Sequence, residues 1–286
     1  MFYFVYSIFL LALTLNLALA APVTAPPWAA FDEPTADAPL AVGGYTNGCL
    51  LGGEALAPEG PGYQVVRLAR QRHYAHPELV EYLSDLGRKV ESAGIGTMLV
   101  ADVAMPRGGP FEYGHRSHQT GLDADVWLRL DVPPLPREQR RGNDDVEAIP
   151  MVDTGRFRVV PGSWTQNQAE LLRLAASDDR VARIFVHPAI KKALCDAEWP
   201  GREWLRRIRP WHRHTAHFHV RLRCPGGDGS CVAQDEPPAG DGCGEELTSW
   251  LPPNYRPPAP RPPGERPPLP ARCQAMLDDP STVRTN

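Results

Sequence analysis

The sequence contains no CxxC pair, no HExxH, no GxSxG and no P-loop. The first absence disfavours a structural zinc site built from thiolates. The others remove the common signatures of helix-borne zinc proteases, serine hydrolases and phosphate-cradling NTPases. There is no basic excess either. A formal net charge of -4 argues against a general nucleic-acid binder, which needs a cationic surface. No internal repeat is visible. Histidine is scarce, nine in 286 residues, which makes any clustering of it informative.

What is present begins with an apolar leader, "MFYFVYSIFLLALTLNLALA". Ala18-Leu19-Ala20 offers a small-x-small cleavage site, so residues 1–20 read as a secretory signal peptide. No Lys or Arg precedes the apolar run, and an uncleaved anchor is the alternative, because about 20 apolar residues can span a bilayer. With the leader removed, no stable membrane insertion is expected, since no other segment is apolar enough. No cysteine follows the cleavage site, which disfavours a lipoprotein. Cys49, Cys195, Cys224, Cys231, Cys243 and Cys273 lie beyond it. An even number of cysteines in an exported chain implies disulfides, though six allow about fifteen pairings.

Along the chain, residues 21–43 are rich in Ala and Pro and read as an exposed N-terminal arm. "PELVEYLSDLGRKVESA" (77–93) predicts a helix: Pro77 suits its first position, Leu79, Leu83, Leu86 and Val90 form a stripe, and Gly94 stops it. Thr97–Met105 reads as a strand, and "DADVWLRLDV" as another entering a sheet. Residues 132–163 read as a long, partly irregular insertion. "TQNQAELLRLAAS" predicts a second helix, "VARIFV" a buried strand, and Pro188 starts a further helix. In "HFHVRLRC" alternation places His217, His219, Arg221 and Arg223 on one face and Phe218, Val220, Leu222 and Cys224 on the other. Residues 252–270 are too Pro-rich for helix or sheet and favour an extended polyproline arm, with Cys273 just beyond, placed to tie it back. The whole predicts a single α+β domain at 44–251, with an antiparallel-rich central sheet flanked by helices, stapled by disulfides and followed by the proline-rich arm 252–286.

Six of the nine histidines fall in two windows, "GHRSHQTGLDADVWL" (His115, His118) and "RPWHRHTAHFHVRLRC" (His212, His214, His217, His219). Imidazole and carboxylate are the ligands of catalytic zinc, which keeps three protein ligands and one open position. A turn at Gly121 would bring His118 and Asp125 onto one ion. The third ligand would come from the strand carrying His217 and His219, roughly 7 Å apart at about 3.3 Å rise per residue. One ligates while the other stands at the open position as a proton carrier. That is the equipment for amide hydrolysis. The bland readings are a turn, cap or calcium site for "DAD", with Asp123 supporting the turn or a neighbouring ligand; caps or surface positions for His73, His76 and His187; and solvation for His212.

These two windows, with "YTNGCLLGG", "RIFVHPAIKKALC" and "GDGCGEEL", resemble the penicillin-insensitive murein endopeptidases of the LAS group of metallopeptidases, which is marked by H-x6-D and H-x-H. The resemblance spans about residues 44–277. It implies a periplasmic zinc peptidase that cuts D-alanyl–diaminopimelate cross-links between peptidoglycan stem peptides. It implies His118, Asp125 and His219 as zinc ligands, His217 as the adjacent base, His214 as a further active-site histidine and His115 as an accessory metal residue. It also implies the pairs Cys49–Cys273, Cys195–Cys243 and Cys224–Cys231. The residues associated with a second metal have no clear counterpart: Gly155 and Arg158 stand in the expected places and Asp153 is a weak substitute, which puts a second ion in doubt. Arg116, Arg209, Arg213 and Arg221 are candidates to meet stem-peptide carboxylates, with Arg213 better read as a surface charge. Two other functions compete: a D,D-carboxypeptidase or dipeptidase of the same chemistry, and a non-catalytic zinc-dependent wall-binding module. A homodimer is left open.

Overall fold

Two neighbouring strands, Asp123–Asp131 and His217–Leu222, organise the molecule because each presents one apolar and one polar face. In the computed structural model, residues 28–131, 133–142, 146–256 and 267–279 are described. The predicted leader, residues 1–20, lies outside them, as does the middle of the proline-rich stretch. Among the described residues no helix is long and apolar enough to cross a membrane.

The two strands lie within a seven-stranded mixed sheet. Its order is Ile208–Pro210, Val181–Val186, His217–Leu222, Asp123–Asp131, Thr97–Ala101, Tyr63–Val65, Glu59–Gly60. Four of the six pairings are antiparallel; those of Val181–Val186 with Ile208–Pro210 and of Tyr63–Val65 with Thr97–Ala101 are parallel. The α+β class and the antiparallel-rich sheet are therefore as the sequence predicts.

The apolar face, with Met98, Val100, Ala124, Val126, Leu128, Phe218, Val220 and Leu222, is buried under three helices. Helix Pro77–Ala93 has the predicted bounds; it starts at Pro77 behind a His76 cap, and Gly94 closes it at φ 64°. Leu79, Leu83, Leu86 and Val90 all face inward. Helix Gln166–Ala176 opens with a Thr165–Gln168 capping box, which satisfies two orphan N–H groups reciprocally. Helix Pro188–Asp196 is capped by His187, whose ring accepts from Ala189 N at 3.1 Å. His76 and His187 are thus caps, as their places before proline suggest.

Three segments differ from expectation. The first is the N-terminal arm. Trp28, Phe31, Ala41 and Val42 are buried, so the packed body starts before residue 44. The cause is a second apolar cluster in which Trp28, Phe31 and Val42 meet Cys49, Met105, Phe111, Cys273, Met276 and Leu277. The second is the C-terminal arm 252–286: beyond its proline-rich part, Ala271–Asp278 is a helix docked in that cluster. The third is the strand at Thr97, which ends at Ala101 because Asp102 turns into left-handed backbone, φ 55°. The insertion is irregular, as expected. Its anchor is Arg140, whose guanidinium donates to the carbonyls of Pro58 at 2.8 Å and Val65 at 3.0 Å.

The three disulfides are Cys49–Cys273, Cys195–Cys243 and Cys224–Cys231, the pairing implied by the resemblance. Their sequence separations are 224, 48 and 7. Closing a longer loop removes more entropy from the unfolded chain. Replacing Cys49 and Cys273 together by Ala is expected to cost about 2–5 kcal/mol in urea unfolding. The Cys224/Cys231 double variant should cost clearly less. Equal shifts in midpoint would refute the loop-entropy account.

Candidate active site

The polar face of the same two strands carries Asp123, Asp125, His217, His219 and Arg221. Register pairs His219 with Asp125 and Arg221 with Asp123. Residues 102–122 return over this face and bring His115 and His118 to it. Gly121 makes the turn into the strand at φ 70°; a Cβ there would sit 2.8 Å from the His76 amide nitrogen. His118 also has left-handed backbone, φ 73°, which is uncommon for a residue with a side chain. Asp123 holds it there: His118 N donates to Asp123 Oδ2, and Nδ1 lies 3.2 Å from the Asp123 carbonyl. Phe111 stacks on the ring at 5.6 Å.

The ligand-type atoms of His115, His118, Asp125 and His219 all lie within 4.8 Å of one another, so these four residues can hold a metal ion. Asp125 is at the centre. Its carboxylate is 3.1 Å from His219 Nδ1, 3.6 Å from His118 Nε2, 3.1 Å from His115 Nε2 and 3.7 Å from His217 Nε2. His118, Asp125 and His219 are buried, whereas the His115 and His217 side chains are 29% and 23% exposed. The cluster therefore opens between these two histidines.

The protonation of His118 favours a cation beside it. Burial lowers His118 to about 4, so the ring is neutral near pH 7. With Nδ1 as the donor to the Asp123 carbonyl, Nε2 is left as a lone pair facing a carboxylate. That atom is buried and has no hydrogen-bond partner. Two acceptors turned toward each other in a dry place are what a metal ion resolves. Burial would raise the Asp125 carboxyl, but the surrounding imidazoles, His217 first, hold it well below the usual range. Burial would likewise discharge His219; the Asp123 carboxylate and its hydrogen bond prevail and raise the ring to about 9. Nε2 of His219 is 2.8 Å from Asp123 Oδ1 and leaves Nδ1 toward the cluster. A carboxylate behind a histidine in this way orients metal ligands. Burial also lowers His217, and lowers His214 to about 3, so both are neutral bases. His214 Nδ1 is tied to the His212 carbonyl at 2.6 Å and its ring lies 4.9 Å from that of His217.

Other candidates are placed elsewhere. Arg221 is buried against Asp123 at 2.7 Å and stacks over Tyr45, and Arg209 is buried and paired with Glu246. Both guanidiniums are committed to the frame, which removes them as substrate clamps. Arg116 and Arg213 are exposed. Asp153 pairs with Arg156 at 2.9 Å on the hairpin of Val152–Asp153 with Arg158–Val159 and is outside the cluster; Gly155 and Arg158 are exposed. His212 is not simply solvated: its ring lies 4.7 Å from that of Trp250, tilted at 53°. One residue beside the cluster has no counterpart among the residues that the sequence singles out. Asp102 is buried, bridges Arg70 at 3.2 Å and Arg72 at 3.4 Å, accepts from Asp125 N through its carbonyl, and lies 3.9 Å from His115. Its signal was present as the one charged residue within "TMLVADVAM".

An open His/Asp cluster on the polar face of a mixed sheet could hold a metal ion and suits hydrolytic chemistry. The sequence pattern of the penicillin-insensitive murein endopeptidases matches residues 41–278. A protein of that name from Klebsiella pneumoniae subsp. pneumoniae is 44% identical over 94% of this chain and 97% of its own. Its namesake in Haemophilus influenzae is 48% identical over 84% and 83%, and that of Yersinia enterocolitica 44% over 92% and 94%. The chain belongs to the penicillin-insensitive murein endopeptidase family.

Zinc titration against a competing chelator tests the cluster. His118→Ala and Asp125→Ala are expected to lose stoichiometric binding, and Asp123→Asn to weaken it about 10–100-fold through His219. Asp153→Ala should bind as the parent does. Undiminished binding by Asp125→Ala would exclude the cluster as the metal site.

Proposed function

We infer that the protein is a zinc endopeptidase of the periplasm that hydrolyses D-alanyl–diaminopimelate cross-links of peptidoglycan. The observation that carries this reading is the orphaned His118 Nε2, turned with His219 Nδ1 on the Asp125 carboxylate in a chain of this family. His118, Asp125 and His219 would hold the ion, with His115 as an accessory. Zinc held there would polarise a carbonyl oxygen and lower the pKa of water. Three cystines support an oxidising compartment, consistent with export by the leader.

The protein's own groups supply the proton steps. His217 Nε2 is neutral, has no hydrogen-bond partner and belongs to the exposed side of the cluster. It accepts the proton of the attacking water and returns it to the nitrogen of the leaving amine. His214 lies behind it, its ring 6.2 Å from that of His219, and keeps its tautomer through the His212 carbonyl. It positions His217. Asp123 keeps its negative charge and fixes both His118 and His219, so the ligand set is rigid before substrate arrives.

The test is incubation of the pure zinc-loaded protein with dimeric muropeptides, followed by mass analysis. Dimers are expected to become monomers, and a chelator to stop the reaction. Release of a terminal D-alanine from dimers left intact would instead identify a carboxypeptidase. His217→Ala is expected to lower kcat by about 10²–10⁴-fold with zinc content unchanged. Full activity in that variant would remove His217 as the base.

A further inference from the structure

Beside the site the surface carries an aromatic plate, a cluster of rings tilted 40–59° to one another, whose side chains the proton chemistry does not use. Trp211 follows the edge strand Ile208–Pro210, and its amide donates to Val186 O at 2.8 Å, which fixes its backbone. Its side chain is nevertheless 49% exposed. Phe185 links it to the site: the Phe185 ring lies 5.5 Å from Trp211 and 5.5 Å from His219. The indole is thus no further from His219 than twice that spacing. On its other side Trp211 lies 5.7 Å from Trp250, which stands at the end of helix Glu245–Ser249. The Cys195–Cys243 bond ties the start of that short helix to the body. His212 and Tyr255 complete the plate, with the imidazole Nδ1 3.2 Å from the tyrosine hydroxyl.

An indole face bordered by an imidazole and a phenol suits one ligand chemistry. A pyranose presents axial C–H bonds on one face and hydroxyl and acetamido groups at its rim. The C–H face stacks on a flat aromatic ring, and the rim groups meet polar donors and acceptors. A protein or lipid partner would call for a contiguous apolar patch of several hundred Å². The other exposed large apolar side chains among the described residues are Tyr113, Ile149 and Val232, none of which belongs to this plate. The spacing allows this, since a stem peptide of three extended residues spans about 10 Å, comparable with the upper bound that the two Phe185 contacts set on the Trp211–His219 separation.

Resting on the murein endopeptidase reading, we propose that Trp211, backed by Trp250 and bordered by His212 and Tyr255, is a subsite for an N-acetylhexosamine ring of the glycan strand. The enzyme recognises its substrate at two places, the cross-link at the cluster and the sugar at this plate.

The experiment uses the zinc-loaded protein and two dimeric muropeptides of identical peptide, one with its disaccharides and one stripped of them. The sugar-bearing dimer is expected to have the higher kcat/KM, by several-fold to about tenfold, the scale of one aromatic contact. Trp211→Ala should bring the ratio of the two close to one, through KM on the sugar-bearing dimer. Trp211→Phe should keep part of the preference and guards against a folding defect in the alanine variant. A parent enzyme without preference, or a parallel loss on both dimers in Trp211→Ala, overturns the subsite. If the parent cuts neither dimer, the endopeptidase reading fails, and calorimetry with a soluble N-acetylglucosamine tetramer decides the subsite separately. Binding by the parent that is lost in Trp211→Ala sustains it, and absence of binding by the parent ends it.

Discussion

Asp123 is fully buried and charged, and the rest of the site depends on how that charge is satisfied. Burial alone would protonate it; Arg221 and then His219 hold it far below the ordinary carboxylate range. One oxygen receives the Arg221 guanidinium and the His219 imidazole, and the other the His118 amide. A single carboxylate therefore fixes His118 on the loop before its strand, and His219 and Arg221 on the neighbouring strand. Its backbone carbonyl selects the tautomer of His118 as well. Replacing it would loosen two of the three inferred ligands at once, so its weight in the site exceeds that of an ordinary supporting residue.

The sheet makes this economy feasible. Alternation divides each central strand between an apolar face under three helices and a polar face that carries the chemistry. The helices bury their stripes on one side only, so the other side is free to be covered by irregular chain. Residues 102–122 do that, and their conformation is set by local left-handed turns at Asp102, His118 and Gly121. Non-glycine residues in such conformations are strained and persist where the surroundings over-determine them. Asp102 is held by two arginines and His118 by Asp123 and Phe111.

Much of this was readable in the chain. The interval from His118 to Asp125 and the alternation of His217 with His219 are local patterns, and local periodicity survives folding because each strand keeps its pleat. Both proline-led helices and their histidine caps were visible for the same reason. The roles of Arg221 and Arg209 were not, since each is decided by a partner far away in sequence: Asp123 for one and Glu246 for the other. As isolated arginines on a polar strand they look available. Trp28, Phe31 and the Ala271–Asp278 helix were obscured in another way. Each segment is too short or too Ala- and Pro-rich to announce a core, and becomes one only when the two ends of the chain meet.

That meeting has a consequence in time. Cys49 belongs to the hairpin of Leu40–Gly44 and Asn47–Leu51, and its partner stands near the far end of the chain. The same hairpin braces the loop of the site, since Leu50 N donates to the Arg107 carbonyl and Gly48 N to Gln119 Oε1. During synthesis from the N-terminus, every candidate ligand emerges before the bond that locks this brace can form. The order of the chain thus acts as a delay: the bond that locks the brace waits for a cysteine 224 residues downstream of its partner.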